Sequence, residues 1–132
     1  MSEYLRNYEE FLRCLTLCHD CVILQYGDSK DSKDCKEVLT GASLDEQCLL
    51  NMVKDEGLAR FTSRSEKLIT IEIGAEHDAS VSKDAENEFE ILALNEFTSD
   101  RKLMSIAVRR KADQKCYVYA KGAESQIMAR LS

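Results

Sequence analysis

Hydrophobic residues along this chain recur with two periods. Near the start, Tyr4, Tyr8, Phe11, Leu12, Leu15 and Cys18 fall at helical spacing, while Glu3, Arg6, Glu9, Glu10 and Arg13 lie mostly on the other side. That predicts an amphipathic helix from about Ser2 to His19. A short strand is expected over Val22–Tyr26, followed by a solvated polar loop, Asp28–Asp34. Ser43 with Glu46 three residues on fits a capping box opening a second helix. Leu49, Leu50 and Val53 are its expected buried face, and Gly57 suits the position just after it. Ala59–Ser63 reads as a strand, and Ile69, Ile71 and Ile73 alternate with Thr70 and Glu72 as in a half-buried one.

The second half is denser in strand signals. Phe89–Leu94, Leu103–Arg109 and Cys116–Lys121 read as neighbouring strands. The first is apolar on both faces, as expected of a central strand covered on both sides. Met104, Ile106 and Val108 form one face of the next, and Ala112–Lys115 is its hairpin loop. The stretch 74–87 is acidic and rich in small residues, so a solvated connection is expected there. Glu124–Leu131 is expected to be a last helix, with Ile127, Met128 and Leu131 apolar.

Length and charge narrow the reading. A chain of 132 residues predicts one domain, 1–132, with a real core. The net charge of −6 argues against non-specific binding to nucleic acid or an anionic membrane. No run approaches the ~20 apolar residues of a membrane span. Arg101, Lys102, Arg109, Arg110, Lys111 and Lys121 nevertheless concentrate in one third of the chain. Six cysteines could suggest disulfides, but most sit in apolar periodic runs, and the compartment reads as reducing and cytosolic. Cys14, Cys18 and Cys21, with His19 beside them, invite a zinc reading. Their spacing makes one helix stripe, whereas structural zinc sites use turn spacings and a second pair, so core packing is expected and no metal.

Two residues stand out for chemistry. Phe97 follows a buried strand and sits among Asn95, Glu96, Thr98, Ser99 and Asp100; it either closes the core or presents an exposed face to a base. Lys121 ends a strand just before Gly122, where the lack of a side chain allows close approach. Alone it reads as a surface lysine; beside a pocket it could attract phosphate or lie over a base. Arg101 and Lys102 are solvated edge charges unless that pocket exists. The glycine-rich phosphate loops of other nucleotide binders are absent, and no nucleophile suggests self-contained catalysis.

The run Glu96-Phe97-Thr98-Ser99-Asp100-Arg101-Lys102-Leu103-Met104-Ser105 resembles the nucleotide-binding domain of P-type ATPases, with the type IV, lipid-flipping branch the closest fit. Lys121-Gly122-Ala123-Glu124 is similar to that domain's Lys-Gly-Ala motif. Leu17-Cys18-His19 is similar to the branch's Leu-Cys-His, and Ser43-Leu44-Asp45-Glu46 to its Ser-Pro-Asp-Glu with Leu44 in place of proline. The resemblance covers nearly the whole chain. It implies an α+β fold, an antiparallel sheet flanked by helices. It also implies ATP as ligand, with Mg²⁺ accompanying the phosphates and held mainly outside this domain. Phe97 would stack on adenine, Lys121 would lie near the other side of the ring, and Glu46 would accept from the adenine amino group. Ser99 and Lys102 would line the pocket, Lys102 toward the phosphates, with Gly122 and Ala123 as its close wall.

The family's Asp-Lys-Thr-Gly and Thr-Gly-Glu motifs do not occur in this sequence, and a further arginine that it uses lies past Ser132. The chain is therefore expected to be an excised, monomeric domain that binds ATP weakly without hydrolysing it. In the intact membrane enzyme it would face the cytosol and work with the phosphorylation and actuator domains of the same chain. The alternatives are the same domain from a cation-transporting P-type ATPase, and a non-enzymatic interaction module in which Phe97 is core and the basic cluster docks a protein.

Overall fold

One face of one helix decides where the sheet is covered. In a computed structural model of the chain, which describes residues 2–26, 36–41, 43–74 and 87–131, helix α1 spans Glu3–Leu17. Ser2 caps it, its hydroxyl accepting from the Leu5 N–H at 3.4 Å. Leu12, Leu15, Thr16 and Leu17 are buried, but the first two turns are exposed, and Tyr4 is 76% accessible. The expected apolar stripe is therefore split. Leu12, Leu15 and Cys18 pack inward, whereas Tyr4, Tyr8 and Phe11 have no described element over them.

The chain leaves the helix at Cys18, earlier than the expected His19, because the His19 ring takes over the last turn. His19 Nε2 lies 2.7 Å from the Thr16 carbonyl, and Nδ1 accepts from the Cys21 N–H at 3.1 Å. That pair of partners assigns the neutral tautomer with the proton on Nε2. The ring packs on Phe61 at a centroid distance of 4.5 Å. Arg64 closes the knot, donating to the His19 carbonyl, to the Cys21 carbonyl at 3.4 Å and to His19 Nδ1 at 3.1 Å.

After this knot, β1 (Val22–Tyr26) pairs antiparallel with β2 (Lys36–Thr40). β2 was not expected from the sequence, since only Val38 and Leu39 interrupt its polar character. The expected loop Asp28–Asp34 and nearly all of the 74–87 connection lie outside the described residues. Helix α2 (Leu44–Asp55) follows, with Ser43 Oγ accepting from the Glu46 N–H at 3.4 Å. Leu50 and Val53 are buried, but Leu49 is exposed, so the buried face is narrower than expected. Gly57 ends the helix in the left-handed region, φ 68°.

The remaining strands form one five-stranded antiparallel meander in chain order: β3 (Ala59–Arg64), β4 (Leu68–Ile73), β5 (Glu88–Asn95), β6 (Leu103–Arg110) and β7 (Cys116–Gly122). Its inner face carries Phe61, Ile69, Ile71, Phe89, Met104, Ile106, Val108 and Tyr119, packed with Leu17, Cys18, Cys21 and Leu50. Burying each large side chain contributes about 1.5–3 kcal/mol. The fold is thus the expected α+β arrangement of an antiparallel sheet flanked by helices.

Two expectations fail. β5 is central but not covered on both sides, since Leu92 is exposed on it and Val118 on β7. Its continuous apolar run has another cause. The β5–β6 register shifts between Ile91 and Ala93, so Phe89, Ile91 and, after a three-residue step, Leu94 all turn toward the core. A bulge has reversed the side-chain parity. The last helix, α3, spans only Glu124–Met128 and buries no residue; Met128 and Leu131 are exposed. The helix lies against β7, and of the expected apolar stripe Ile127 is half-buried.

The knot predicts a pH dependence. Burial first, and the Arg64 charge second, lower the His19 pKa from 6.5 to about 3. The unfolded chain takes up this proton below about pH 6.5 and the folded chain does not until about pH 3. His19 therefore contributes fully to stability above pH 6.5, and the contribution is lost progressively as pH falls toward 3. Urea midpoints should fall more steeply with acidification in the wild type than in His19→Gln, which should start less stable at neutral pH. Parallel curves would refute the assignment.

Candidate functional site

Glu46 and Lys121 come from opposite ends of the chain and meet. Glu46 is in the first turn of α2, held there by the Ser43 cap. Lys121 is near the end of β7, paired in register with Met104 of β6. Lys121 Nζ lies 3.7 Å from Glu46 Oε1, and the two side chains are only 19% and 13% accessible. Glu46 Oε2 accepts from the Asp20 N–H at 3.4 Å. Among the described contacts the Glu46 carboxylate is used on Asp20 and Lys121, so only the Ser43 half of the expected capping box is present. Burial, then the Asp20 side chain, raises the Glu46 pKa, while Lys121 opposes the rise.

Cysteines of α1 hold the strand beneath this pair. Cys18 Sγ donates to the Tyr119 carbonyl at 3.6 Å and lies 3.9 Å from that of Met104, and Cys14 Sγ donates to the Ala120 carbonyl at 3.7 Å. Burial pushes the Cys18 thiol up to about 12 and the Cys21 thiol to about 11, so both stay protonated. The hydrogen bonds from Cys14 and Cys18 to strand carbonyls fit groups that pack α1 against β7. Among the described residues Cys14, Cys18, Cys21, Cys48 and Cys116 are unpaired thiols. Asp20, Cys21 and Glu46 each place a ligand atom within 4.8 Å of the others, but the Lys121 ammonium beside Glu46 disfavours a cation there.

Phe97 belongs to the connection between β5 and β6 and is 56% accessible, so it does not close the core. The connection is braced from within. Lys102 N–H donates to the Thr98 carbonyl at 2.7 Å, and Thr98 Oγ1 accepts from the Arg101 N–H at 3.2 Å and from its Nε at 3.4 Å. Arg101 also donates to the Glu96 carbonyl. Its guanidinium thus supports its own loop, where the sequence offered either a solvated charge or a phosphate partner. Ser99 sits exposed in this turn, and Lys102, exposed as well, adopts φ 51°.

Gly122 joins that connection to the strand end. A Cβ on it would lie 2.5 Å from the Lys102 carbonyl oxygen and 2.8 Å from Leu103 Cδ1. The close approach expected of Gly122 is therefore made by the chain's own backbone. Next to it, the Ala123 N–H donates to the Lys102 carbonyl at 2.9 Å, and Ala123 is half-buried as the cap of α3.

Of the seven residues singled out, Glu46 and Lys121 touch through their side chains, and Lys102, Gly122 and Ala123 touch through backbone. Phe97 and Ser99 lie in the loop at the sheet end where β5 finishes, β6 begins and β7 finishes. The arrangement is an open shelf. A cavity of about 170 Å³ lies elsewhere, lined by Ile23, Leu39, Leu50 and Phe61 with Asn51, Lys54, Arg60 and Thr62, and none of the seven reaches it. Asp20 and Arg64 were missed by sequence reasoning. Neither belongs to a period or motif; only their proximity to Leu17-Cys18-His19 or to a strand end could have signalled them.

The rest of the basic cluster is neutralised at the other end of the sheet. Arg109 pairs with Glu90 at 3.3 Å, Arg110 with Asp113 at 3.5 Å and Lys111 with Glu88 at 2.8 Å. Arg110 also lies over the Tyr117 ring, 4.8 Å from its centroid.

Residues 7–132 match the family described as P-type ATPase, cytoplasmic domain N. The chain is 35% identical to the phospholipid-transporting ATPase IC of Xenopus tropicalis, over 96% of this chain and 9% of that protein. It is 32% identical to the phospholipid-transporting ATPase IK of Mus musculus over 96% of this chain and 8% of that one. Identity to the phospholipid-transporting ATPase tat-1 of Caenorhabditis elegans is 29% over 98% of this chain and 10% of that protein. The chain thus spans about a tenth of the length of these curated relatives.

The crowding at Gly122 generates a prediction. Gly122→Ala must displace the Lys102 carbonyl or Leu103, and should destabilise the chain by about 1–3 kcal/mol in denaturant unfolding. Amide signals from Thr98 to Lys102 should shift with it. Unchanged stability would mean that the two backbones are not in contact.

Proposed function

The chain belongs to the P-type ATPase cytoplasmic domain N family, and we propose that it is the ATP-binding domain of a phospholipid-transporting P-type ATPase. The observation that carries this reading is one juxtaposition. An exposed aromatic, Phe97, lies at the same sheet end as a largely buried carboxylate–ammonium pair, Glu46 and Lys121. An adenine base needs a flat apolar surface and polar groups for its edge, and these residues supply both.

Phe97 stacks on the base. Lys121 lies near the base's other side, and the Glu46 carboxylate accepts from its exocyclic amino group. Lys102 extends toward the phosphates, Ser99 lines the shelf, and Gly122 and Ala123 form its wall. ATP supplies the phosphoryl group, with Mg²⁺ accompanying its phosphates and held mainly by residues outside this domain. This chain binds and orients: it presents the nucleotide to an aspartate on the phosphorylation domain, making a bimolecular step effectively unimolecular. The actuator domain of the same chain is the other expected partner, on the cytosolic side of the membrane. Alone, as a monomer, the chain should hold ATP without turnover.

The relatives' names favour lipid transport over cation transport. The interaction-module reading loses support, because Phe97 is not core and Arg109, Arg110 and Lys111 are already paired with acids. No helix among the described residues is long and apolar enough to cross a membrane.

Titration with ATP or a nonhydrolysable analogue should shift amide signals around Phe97, Ser99 and Lys121; silence at millimolar nucleotide would favour the interaction module. Phe97→Ala should weaken binding by about 1–3 kcal/mol, roughly five- to 150-fold, without loss of structure. Collapse of the fold in that variant would instead make Phe97 a packing residue. Glu46→Ala should weaken binding and also cost about 1 kcal/mol or more in stability, since it removes the partner of a largely buried Lys121. A change in melting alone would reduce Glu46 to a structural role.

A further inference from the structure

Asp20 follows the end of α1 and lies outside every helix and strand. Its backbone N–H donates to Glu46 Oε2, and its carboxyl group has an oxygen within 4.8 Å of both the Glu46 carboxyl and Cys21 Sγ. Asp20 Oδ1 is buried and has no hydrogen-bond partner among the described residues. A second carboxyl group this close, with an unsatisfied oxygen, favours a proton on Glu46.

The groups facing Glu46 can be taken element by element. From α1 come the Cys14 and Cys18 thiols, and after it the neutral His19 ring and the Cys21 thiol. These thiols stay protonated and His19 stays neutral across the neutral range, mainly because they are buried. From β3 comes Arg64, whose guanidinium already serves the carbonyls of His19 and Cys21. From β7 comes Lys121, at 3.7 Å. On α2 itself Asp45 is exposed. Among the described residues this leaves Asp20 as the second acid in contact with Glu46.

We propose that Asp20 is a positioning residue for Glu46: its N–H orients the Glu46 carboxyl, and its own carboxyl, by favouring a proton on Glu46, decides when Glu46 can accept a hydrogen bond from the base of a purine nucleotide. The proposal rests on the nucleotide reading above. While Glu46 is ionised it is purely an acceptor and complements the exocyclic amine of adenine. Once Glu46 takes up a proton, that acceptor is lost in part, so affinity for the base falls as pH falls. Burial of Glu46 first, and the Asp20 contact second, move this loss to higher pH, while Lys121 opposes them.

The test uses adenosine, which has no phosphates to titrate, and the Glu46 side-chain carboxyl carbon signal of the chain without ligand. Both are followed from about pH 8 down to about pH 5. Wild-type affinity for adenosine should fall several-fold at the acid end. Asp20→Asn keeps the backbone N–H and removes the second acid, so the Glu46 midpoint should drop and the adenosine profile should flatten. Asp20→Ser is the second variant, with folding of each checked by its amide spectrum. An unchanged Glu46 midpoint in a folded variant overturns the proposal, and so does a shifted midpoint with an unchanged adenosine profile. If neither variant folds, a wild-type Glu46 midpoint in the ordinary carboxylate range overturns it, and a raised one that tracks the adenosine profile supports it. Failure of both ATP and adenosine to bind the wild type at any pH is a distinct result: it overturns the nucleotide reading, and the proposal falls with it.

Discussion

Five residues, Leu17 to Cys21, hold this molecule together. Leu17, Cys18, His19 and Cys21 are fully buried, wedged between the end of α1 and the inner face of the meander. Backbone polar groups buried there need partners, and the segment is in neither helix nor strand. Arg64 and the His19 ring provide them, through the carbonyls of Thr16, His19 and Cys21 and the N–H of Cys21. Without that satisfaction the chain could not leave α1 and turn into β1 underneath the sheet.

The same wedge sets the chemistry at the sheet end. Cys14 and Cys18 reach carbonyls of β7, fixing the strand that carries Lys121, and Asp20 reaches Glu46 on α2. The carboxylate and the ammonium are thus located by one short segment, although they are far apart in sequence. Desolvation would make either charge costly alone, and each offsets the other. Phe97 is treated differently. Its loop is braced by Thr98, Arg101 and Lys102, so the ring is presented to solvent by a structured turn.

An open shelf suits the presenting role proposed for this chain. A ligand that must meet a second domain cannot be enclosed by the first. The charges follow that division. Arg109, Arg110 and Lys111 are matched by acids at the far end of the sheet, while Lys102 stands exposed at the near end.

Local signals were legible wherever one physical effect dominated. The capped start of α2, the left-handed glycine after it, the strand alternation of Ile69 and Ile71, and the inner face of β6 follow from period and cap chemistry. The Phe97 and Lys121 motifs also identified the family from sequence. What local pattern could not carry was anything requiring a partner distant in sequence. The bulge at Leu92 made a one-sided strand look two-sided, because parity is set by the pairing strand. The exposed Tyr4 and Phe11 obey helical spacing as well as the buried Leu12 and Leu15 do, and only the extent of the sheet separates them. Gly122 reads as room for a ligand until Lys102 is seen filling the space. The sequence alone therefore determined most of the elements and the family, and it named candidate residues for binding. Only the tertiary structure decided which faces are covered and that Asp20 stands beside Glu46, because burial and charge pairing depend on distances between residues that the chain brings together only when folded.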